Sequence, residues 1–461
     1  GPRQAEHGSS SQVLYARFFE RNRLPAPRPS PAMSWTPSSW QALPKAQMAE
    51  YEDKELTAKV LGKLSTLPPL VQSKEADRLK SLLAAAARGE RFIVQGGDCA
   101  ERFMDCSSDR LESQVSMMLQ MGMIMENITG RPNVCICRIA GQYGKPRSKP
   151  TEVVEGMGEI MSFKGENING YDPKDRKWDP ERLLQGYWHS AATLNFLRGY
   201  VANVDPMVLS KVDLTQLSSL PDFDTLKATA QDVAAKNMTA PTPEFFTAHE
   251  AMQLDLEESL TRKVGDLYYN LSAHLVWIGD RTRQLDGAHV EYFRGITNPI
   301  GCKIGPSMKN DELKDLVAKL NPNKEEGKLV LITRYGAGKV ADMLPGHIQA
   351  VKESGVPVVW QCDAVHGNGI VASNKMKTRK VSDILAEIME CIEVHKTCGT
   401  VLAGIHLECT GQASVTECLG GCINLTEDML SSNYETTCDP RMNYAQSIET
   451  AFQVACAVKK Y

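Results

Sequence analysis

No apolar run in these 461 residues approaches the ~18 that a membrane-crossing helix requires, and mean hydropathy is −0.30. A helical membrane protein is therefore excluded. A basic excess is missing too. Lysine and arginine total 52 against 56 acids, a net −4, which leaves no bulk basicity for nucleic-acid binding, so any anion site must be a local concentration of base. The chain also lacks the glycine fingerprint of a dinucleotide site and any pair of C-x-x-C knuckles. Its 13 cysteines form no repeating frame, which suits a reducing compartment where most thiols act as small core side chains.

What is present supports a large core: 42% apolar and 23% charged residues. The length allows one embellished domain or two to three ordinary ones. Gly1-Pro2 without an initiator Met reads as a cleavage scar, and residues 1–33, rich in Ser, Pro and Arg, are expected to be a disordered leader. Their bias also fits the remnant of a plastid transit peptide. From Trp35 to Leu64 the pattern is helical and polar. Ser73 to Arg88 predicts a helix with Leu79, Leu82, Leu83 and Ala86 on one side and Gly89 closing it. Ser107 or Ser108 caps a Met-rich helix whose methionines read as core filling, and Asp179-Pro180 opens a long helix. Residues 203–243 read as an insertion, helical from Asp224 to Lys236, while Ser382–His395 and Asn443–Lys459 predict the last helices.

Between these lie apolar runs that stop at turn residues. The first, Arg91 to Gln95, breaks on Gly96-Gly97 and then presents Asp98, Cys99 and Glu101. The others are Asn133–Ala140, Ala273–Gly279, Pro299–Ile304, Leu329–Arg334, Val356–Asp363, Val401–Glu408 and Tyr434–Cys438. Eight strands mostly separated by helices predict a (β/α)8 barrel, as a single domain over 34–461 with an N-terminal helical extension at 34–90. In that fold the chemistry lies at the carboxyl ends of the strands. Here those ends deliver Cys99, Arg138, Asp280 with Arg281, Lys303, Arg334, His366, Glu408 and Asp439.

These residues sort by chemistry. Cys99, His366, Glu408 and Asp439 combine a thiol, an imidazole and two carboxylates, a set suited to Mn²⁺, Co²⁺, Fe²⁺ or Zn²⁺. His406, two residues before Glu408, is a rival or supporting residue. Arg138, Arg281, Lys303 and Arg334, with Lys145, Arg147 and Lys377, form a cationic set able to hold phosphate or carboxylate groups. Each residue alone has a plainer reading: a core thiol, a hydrogen-bonded histidine, a loop carboxylate. Their succession at strand ends favours the functional one. Gly336-Ala337-Gly338-Lys339 lacks the earlier glycine and the following Ser/Thr of a P-loop, and Cys418…Cys422 has the wrong spacing for a zinc knuckle.

The segments QGGDCAE (95–101), RIAGQYGKPRS (138–148), SAATLN (190–195), RTRQLDGAH (281–289), NPIGCKIGP (298–306), WQCDAVHGN (360–368), GIHLE (404–408), TECLGG (416–421) and CDPR (438–441) together closely resemble the type II, plant-like 3-deoxy-D-arabino-heptulosonate 7-phosphate (DAHP) synthases. The resemblance runs from about Trp35 to the C-terminus. It implies a (β/α)8 barrel that condenses phosphoenolpyruvate with erythrose 4-phosphate at the start of the shikimate pathway. It implies metal ligands at Cys99, His366, Glu408 and Asp439, phosphoenolpyruvate contacts from Arg138, Arg281, Lys303 and Arg334, and erythrose 4-phosphate contacts from Lys145-Pro146-Arg147-Ser148. It also implies a homo-oligomer with aromatic amino acid effectors. Two departures stand out: Asp280 where the family usually has Glu, and Tyr335 where it usually has Met.

The resulting expectation is an aldol-type condensation. The metal, Mn²⁺ or Co²⁺ foremost, polarises the aldehyde, the cationic cradle orients phosphoenolpyruvate, and Lys303 donates a proton beside Cys99 and His366. Cys99 as a covalent nucleophile is the alternative role for that thiol. Another phosphosugar synthase on the same barrel and a catalytically silent scaffold are the rival functions. Cys438 adjoins Asp439, and oxidation is expected to link it to Cys99. Nucleic acid and membrane are not expected partners, and cytosol and plastid stroma both remain open.

Overall fold

Eight parallel strands pair edge to edge in chain order and close on themselves: β1 (Phe92–Gly97), β2 (Asn133–Arg138), β3 (Phe245–Glu250), β4 (Leu275–Ile278), β5 (Ile300–Ile304), β6 (Leu329–Thr333), β7 (Val359–Cys362) and β8 (Leu402–His406). The structure is a computed structural model that describes residues 35–203, 211–237 and 244–460. The expected leader lies outside the described residues. Parallel strands covered on both faces read as near-continuous apolar runs, and β4, β5, β6 and β8 are buried at every position. Helices follow the strands: α3 (Ser108–Thr129), α4 (Glu181–Asn203), α5 (Phe223–Asn237), α6 (Leu254–Ser259), α7 (Ala288–Phe293), α8 (Asn310–Leu320), α9 (Val340–Ser354), α10 (Val381–Thr397) and α11 (Tyr444–Lys459), after α1 (Lys54–Thr66) and α2 (Ser73–Ala87). None of the helices is long and apolar enough to cross a membrane among the described residues.

α2 closes the amino-terminal mouth of the barrel. Leu79, Leu82, Leu83 and Ala86 form one cluster with Ile93, Val134, Phe246, Leu275, Val330, Val359 and Ala403, which lie near the amino-terminal ends of their strands. Burying each leucine stabilises by roughly 1.5–3 kcal/mol. Close docking needs Gly327, where a Cβ would lie 2.0 Å from the Lys80 carbonyl oxygen. The methionines of α3 fill core as expected, with Met117, Met118, Met121 and Met125 buried where α3 packs on α11. With the lower mouth sealed, the loops beyond the carboxyl ends of the strands are left for chemistry.

Two strand expectations fail, and they cancel in the count. β3 was not expected. Its sequence FFTAHE puts Phe246 and Ala248 in the core cluster, while Thr247 bonds His274 and His249 bonds Glu257 on the other face. Polar residues satisfied by distant partners hid the strand. Conversely, Tyr434–Cys438 is not a strand. The amides of Glu435 and Thr436 donate to the Glu417 carboxylate at 3.2 and 2.8 Å rather than to a ladder. The N-terminal arm is less helical than expected: between Ser39–Ala42 and Lys54 it is irregular. The polar loop at 141–148 leads into a hairpin, Thr151–Val154 with Gly158–Met161.

Candidate active site

β1 ends on Gly97, whose φ is +137° and where a Cβ would lie 2.6 Å from the Arg138 carbonyl oxygen. A residue without a side chain lets the chain turn tightly over β2. The turn brings the Asp98 and Cys99 carbonyls onto the Arg138 guanidinium, at 2.9 Å from Nε and 3.2 Å from Nη2. Arg138 is buried, and it also donates to Glu408 Oε1 at 3.0 Å and contacts His406 Nε2 at 2.9 Å. Because the guanidinium is an obligate donor, His406 accepts through Nε2 and carries its proton on Nδ1. Burial, followed by the nearby Lys303 charge, holds His406 well below the usual imidazole range, consistent with that neutral form. His406 thus supports Arg138.

Cys99, Glu408 and Asp439 present one ligand atom each within 4.8 Å of one another. Lys145 Nζ lies 2.8 Å from Cys99 Sγ, 2.9 Å from Asp439 Oδ2 and 3.4 Å from Glu408 Oε1. Burial works against the Lys145 charge, yet Asp439, Cys99 and Glu408 outweigh it and hold the ammonium well above its usual range. Burial likewise resists ionisation of Glu408, but His366, Lys145, Arg379 and Arg138 overcome it. Desolvation pushes the Cys99 thiol up.

His366 stands beside this trio rather than within its 4.8 Å cluster, with Nε2 3.0 Å from Glu408 Oε1. Its Nδ1 lies 2.8 Å from Asp363 Oδ2, which holds the ring with Nε2 toward Glu408. A carboxylate behind a ligating histidine fixes tautomer and orientation in this way. Asp363 also takes Lys303 Nζ at 2.9 Å. Burial lowers the Lys303 pKa, against the pull of Asp363. A thiol, an imidazole and two carboxylates gathered where a cationic ammonium already fits are the chemistry a divalent ion needs, and the residues fit that group.

The remaining cations lie around this nest, and Arg334, Arg147 and Lys377 have acidic partners of their own. Arg334 Nη1 pairs with Asp280 Oδ2 at 2.8 Å, and its Nη2 donates to the His366 carbonyl at 2.9 Å. Asp280 Oδ1 takes Arg283 Nε at 2.9 Å. Arg281 Nη2 donates to Ser148 Oγ at 3.1 Å on the exposed rim. The Arg147 amide donates to Gln47 Oε1, and its Nη2 lies 3.4 Å from Glu152 Oε2. Lys377 pairs with Asp439 Oδ1 at 3.1 Å.

Sequence reasoning missed four residues here. Asp363 stood three positions before His366 and could have been found by that spacing. Arg379, 2.7 Å from Glu408 Oε2, gave no local signal, and neither did Arg283. Glu250 was lost with β3; its Oε1 is buried with no hydrogen-bond partner among the described residues.

The class-II DAHP synthetase family matches residues 35–455 of this chain. A phospho-2-dehydro-3-deoxyheptonate aldolase of Neurospora crassa is 45% identical over 458 residues, covering 92% of this chain and 94% of that protein. One of the same name from Streptomyces coelicolor is 42% identical over 435 residues, covering 91% and 96%.

Proposed function

Since the chain belongs to the class-II DAHP synthetase family, we propose that its barrel mouth condenses phosphoenolpyruvate with D-erythrose 4-phosphate to DAHP and phosphate through the side chains just described. The observation that carries this reading is the convergence of Cys99, Glu408 and Asp439 within 4.8 Å, with His366 Nε2 3.0 Å from Glu408 Oε1. Cys99, His366, Glu408 and Asp439 would hold the divalent ion, Mn²⁺ or Co²⁺ foremost, with Zn²⁺ and Fe²⁺ as other fits. When bound, such an ion supplies Lewis acidity toward the aldehyde oxygen of erythrose 4-phosphate.

The chain's own groups do the rest. Arg334, Arg281, Lys303 and Arg138 hold the carboxylate and phosphate of phosphoenolpyruvate so that C3 faces the aldehyde carbon. Arg147 and Ser148 take the phosphate of erythrose 4-phosphate, with Arg281 bonded to Ser148 between the two. The new C–C bond forms from the enol C=C pair. Lys303, kept buried and oriented by Asp363, gives the proton that the former aldehyde oxygen takes up. Water then adds at C2 and gives one proton to Glu250 Oε1, a buried carboxylate oxygen unpartnered among the described residues; the hemiketal hydroxyl passes its proton to the phosphate, which leaves with its bridging oxygen as C2 becomes the ketone. The family reading extends to a homo-oligomer with aromatic amino acid effectors, and the chain's free thiols suit a reducing cytosol or plastid stroma.

The test is phosphate release from both substrates before and after exhaustive chelation, with Mn²⁺ or Co²⁺ added back. Loss and recovery are expected. Full turnover by metal-stripped protein would refute the role of the four donors, and equal rates with arabinose 5-phosphate as acceptor would favour another synthase on the same barrel.

A further inference from the structure

Cys99, His366 and Glu408 lie just past the ends of β1, β7 and β8, whereas Asp439 follows no strand, so something other than a strand must aim it. Residues 433–441 are irregular, and their ordering converges on one side chain. Glu417 is completely buried. It accepts from the amides of Glu435, Thr436 and Arg441 at 3.2, 2.8 and 2.7 Å. It also takes the Arg441 fork, Nη2 at 2.8 Å and Nε at 3.1 Å. The third arm of that guanidinium, Nη1, crosses to Asp98 Oδ1 at 2.5 Å. Asp98 precedes Cys99, and Arg441 lies two residues after Asp439.

A second stitch runs parallel to the first. Glu435 of the same segment takes Arg110 of α3 at 2.8 and 3.2 Å, and Arg102, three residues past Cys99, lies 3.8 Å from it. Arg102 is itself held by Asp105 at 2.7 and 2.6 Å. A polar cleft lined by Asp98, Arg102, Asp105, Arg110 and Arg441 opens behind the donor nest at this seam.

We propose that Arg441, seated on Glu417 and bonded to Asp98, is a positioning residue that fixes the spacing between Cys99 and Asp439 and thereby sets the affinity of the site for its divalent ion. The inference rests on the metal reading above. A planar guanidinium with three donating edges can engage two carboxylates at once, whereas a lysine at the same position can satisfy only one of them in good geometry. Asp98 and Arg441 touch neither substrate nor metal in this scheme. Their effect passes through the backbone of the two neighbouring ligands.

The experiment compares the full-length wild type with Arg441→Lys and Asp98→Ala. The first keeps a charge on Glu417 but gives up the bridge; the second removes the bridge and leaves the Glu417–Arg441 pair whole, so it carries the test where the first fails to fold. Mn²⁺ dissociation constants are measured by competition with a chromogenic chelator, and metal-free melting temperatures report folding. The Co²⁺-loaded proteins are compared by the thiolate-to-cobalt absorption. Expected are dissociation constants raised by about 10–100-fold, as removal of a group that orients a metal ligand typically gives, together with an altered cobalt spectrum and turnover recovered by excess metal. A folded variant that binds Mn²⁺ within two-fold of wild type would overturn the proposal. Wild-type protein that binds no divalent ion would instead overturn the metal reading beneath it.

Discussion

Glu387→Gln tests whether one buried carboxylate holds two active-site turns together, and its pH dependence can be worked out beforehand. Glu387 on α10 is completely buried. Its Oε1 accepts from the Tyr335 amide and its Oε2 from Asn368 Nδ2, both at 2.8 Å. Asn368 passes the link on, accepting from the Ala337 amide at 2.9 Å and donating to the Ala364 carbonyl at 2.7 Å. The turn after Arg334 and the turn carrying His366 thus share one anchor. Burial raises the Glu387 pKa from 4.5 to about 7, with the Gly336 and Tyr335 amides pulling the other way. The folded protein therefore holds a proton that the unfolded chain has lost between those values. That contribution to stability is full below about pH 4.5 and disappears as pH rises through about 7. Between pH 5 and pH 8 the loss is about 2.5 kcal/mol by linkage.

Glutamine does not titrate, so the variant should gain on wild type by that amount over the same interval. Glu101, also raised to about 7 by burial, is common to both proteins and cancels. For a chain of this length the unfolding entropy is roughly 1 kcal/mol per degree, which converts the gain to about 2–3 °C in relative melting temperature. On top of it lies a pH-independent cost of ~1–3 kcal/mol, because the glutamine amide meets the Asn368 amide donor to donor. Melts of wild type and Glu387→Gln from pH 5 to pH 8 that run parallel would refute the reasoning.

Three further outcomes follow from the same geometry. Arg334→Ala removes a charge-assisted contact of about 1.5–3 kcal/mol, so the Michaelis constant for phosphoenolpyruvate should rise roughly 10- to 100-fold; an unchanged constant in steady-state assays would take Arg334 out of the cradle. Treatment with a diazene-type thiol oxidant should join Cys99 to Cys438 with loss of two electrons and two protons, release the metal and be reversed by dithiothreitol; peptide maps without the crosslink would end that idea. Leu83→Ala opens a cavity between α2 and the barrel floor at a cost of about 2–5 kcal/mol. A lowered melting temperature is expected with little change in either Michaelis constant, and an undiminished melting temperature would mean that α2 is not a structural plug.

The barrel was legible because its strands obey a composition rule that needs no knowledge of partners. A parallel strand buried on both faces is an apolar run, and Leu329–Thr333 announces itself. β3 escaped because Thr247 and His249 face partners at His274 and Glu257, a pairing visible only after folding. Tyr434–Cys438 misled for the opposite reason: β-branched residues suggested a ladder, while the amides went to Glu417. Asp439 was nevertheless placed at the rim with Cys99, because the notion of a strand end mattered less than the turn that follows it.

The cationic set was readable as residue types but not as charge left over after pairing. Arg138, Lys145 and Lys303, read as bases awaiting an anion, each have an acidic partner in Glu408, Asp439 or Asp363. Asp280 shows what that pairing does for binding. Its two oxygens divide between Arg283 and Arg334, tying both guanidiniums to one carboxylate two residues past β4. An arginine held on one edge has lost rotamer freedom before any ligand arrives, so less entropy remains to be lost on binding. Asp280 touches Arg334 and Arg283, and its bearing on phosphoenolpyruvate runs through the orientation of Arg334.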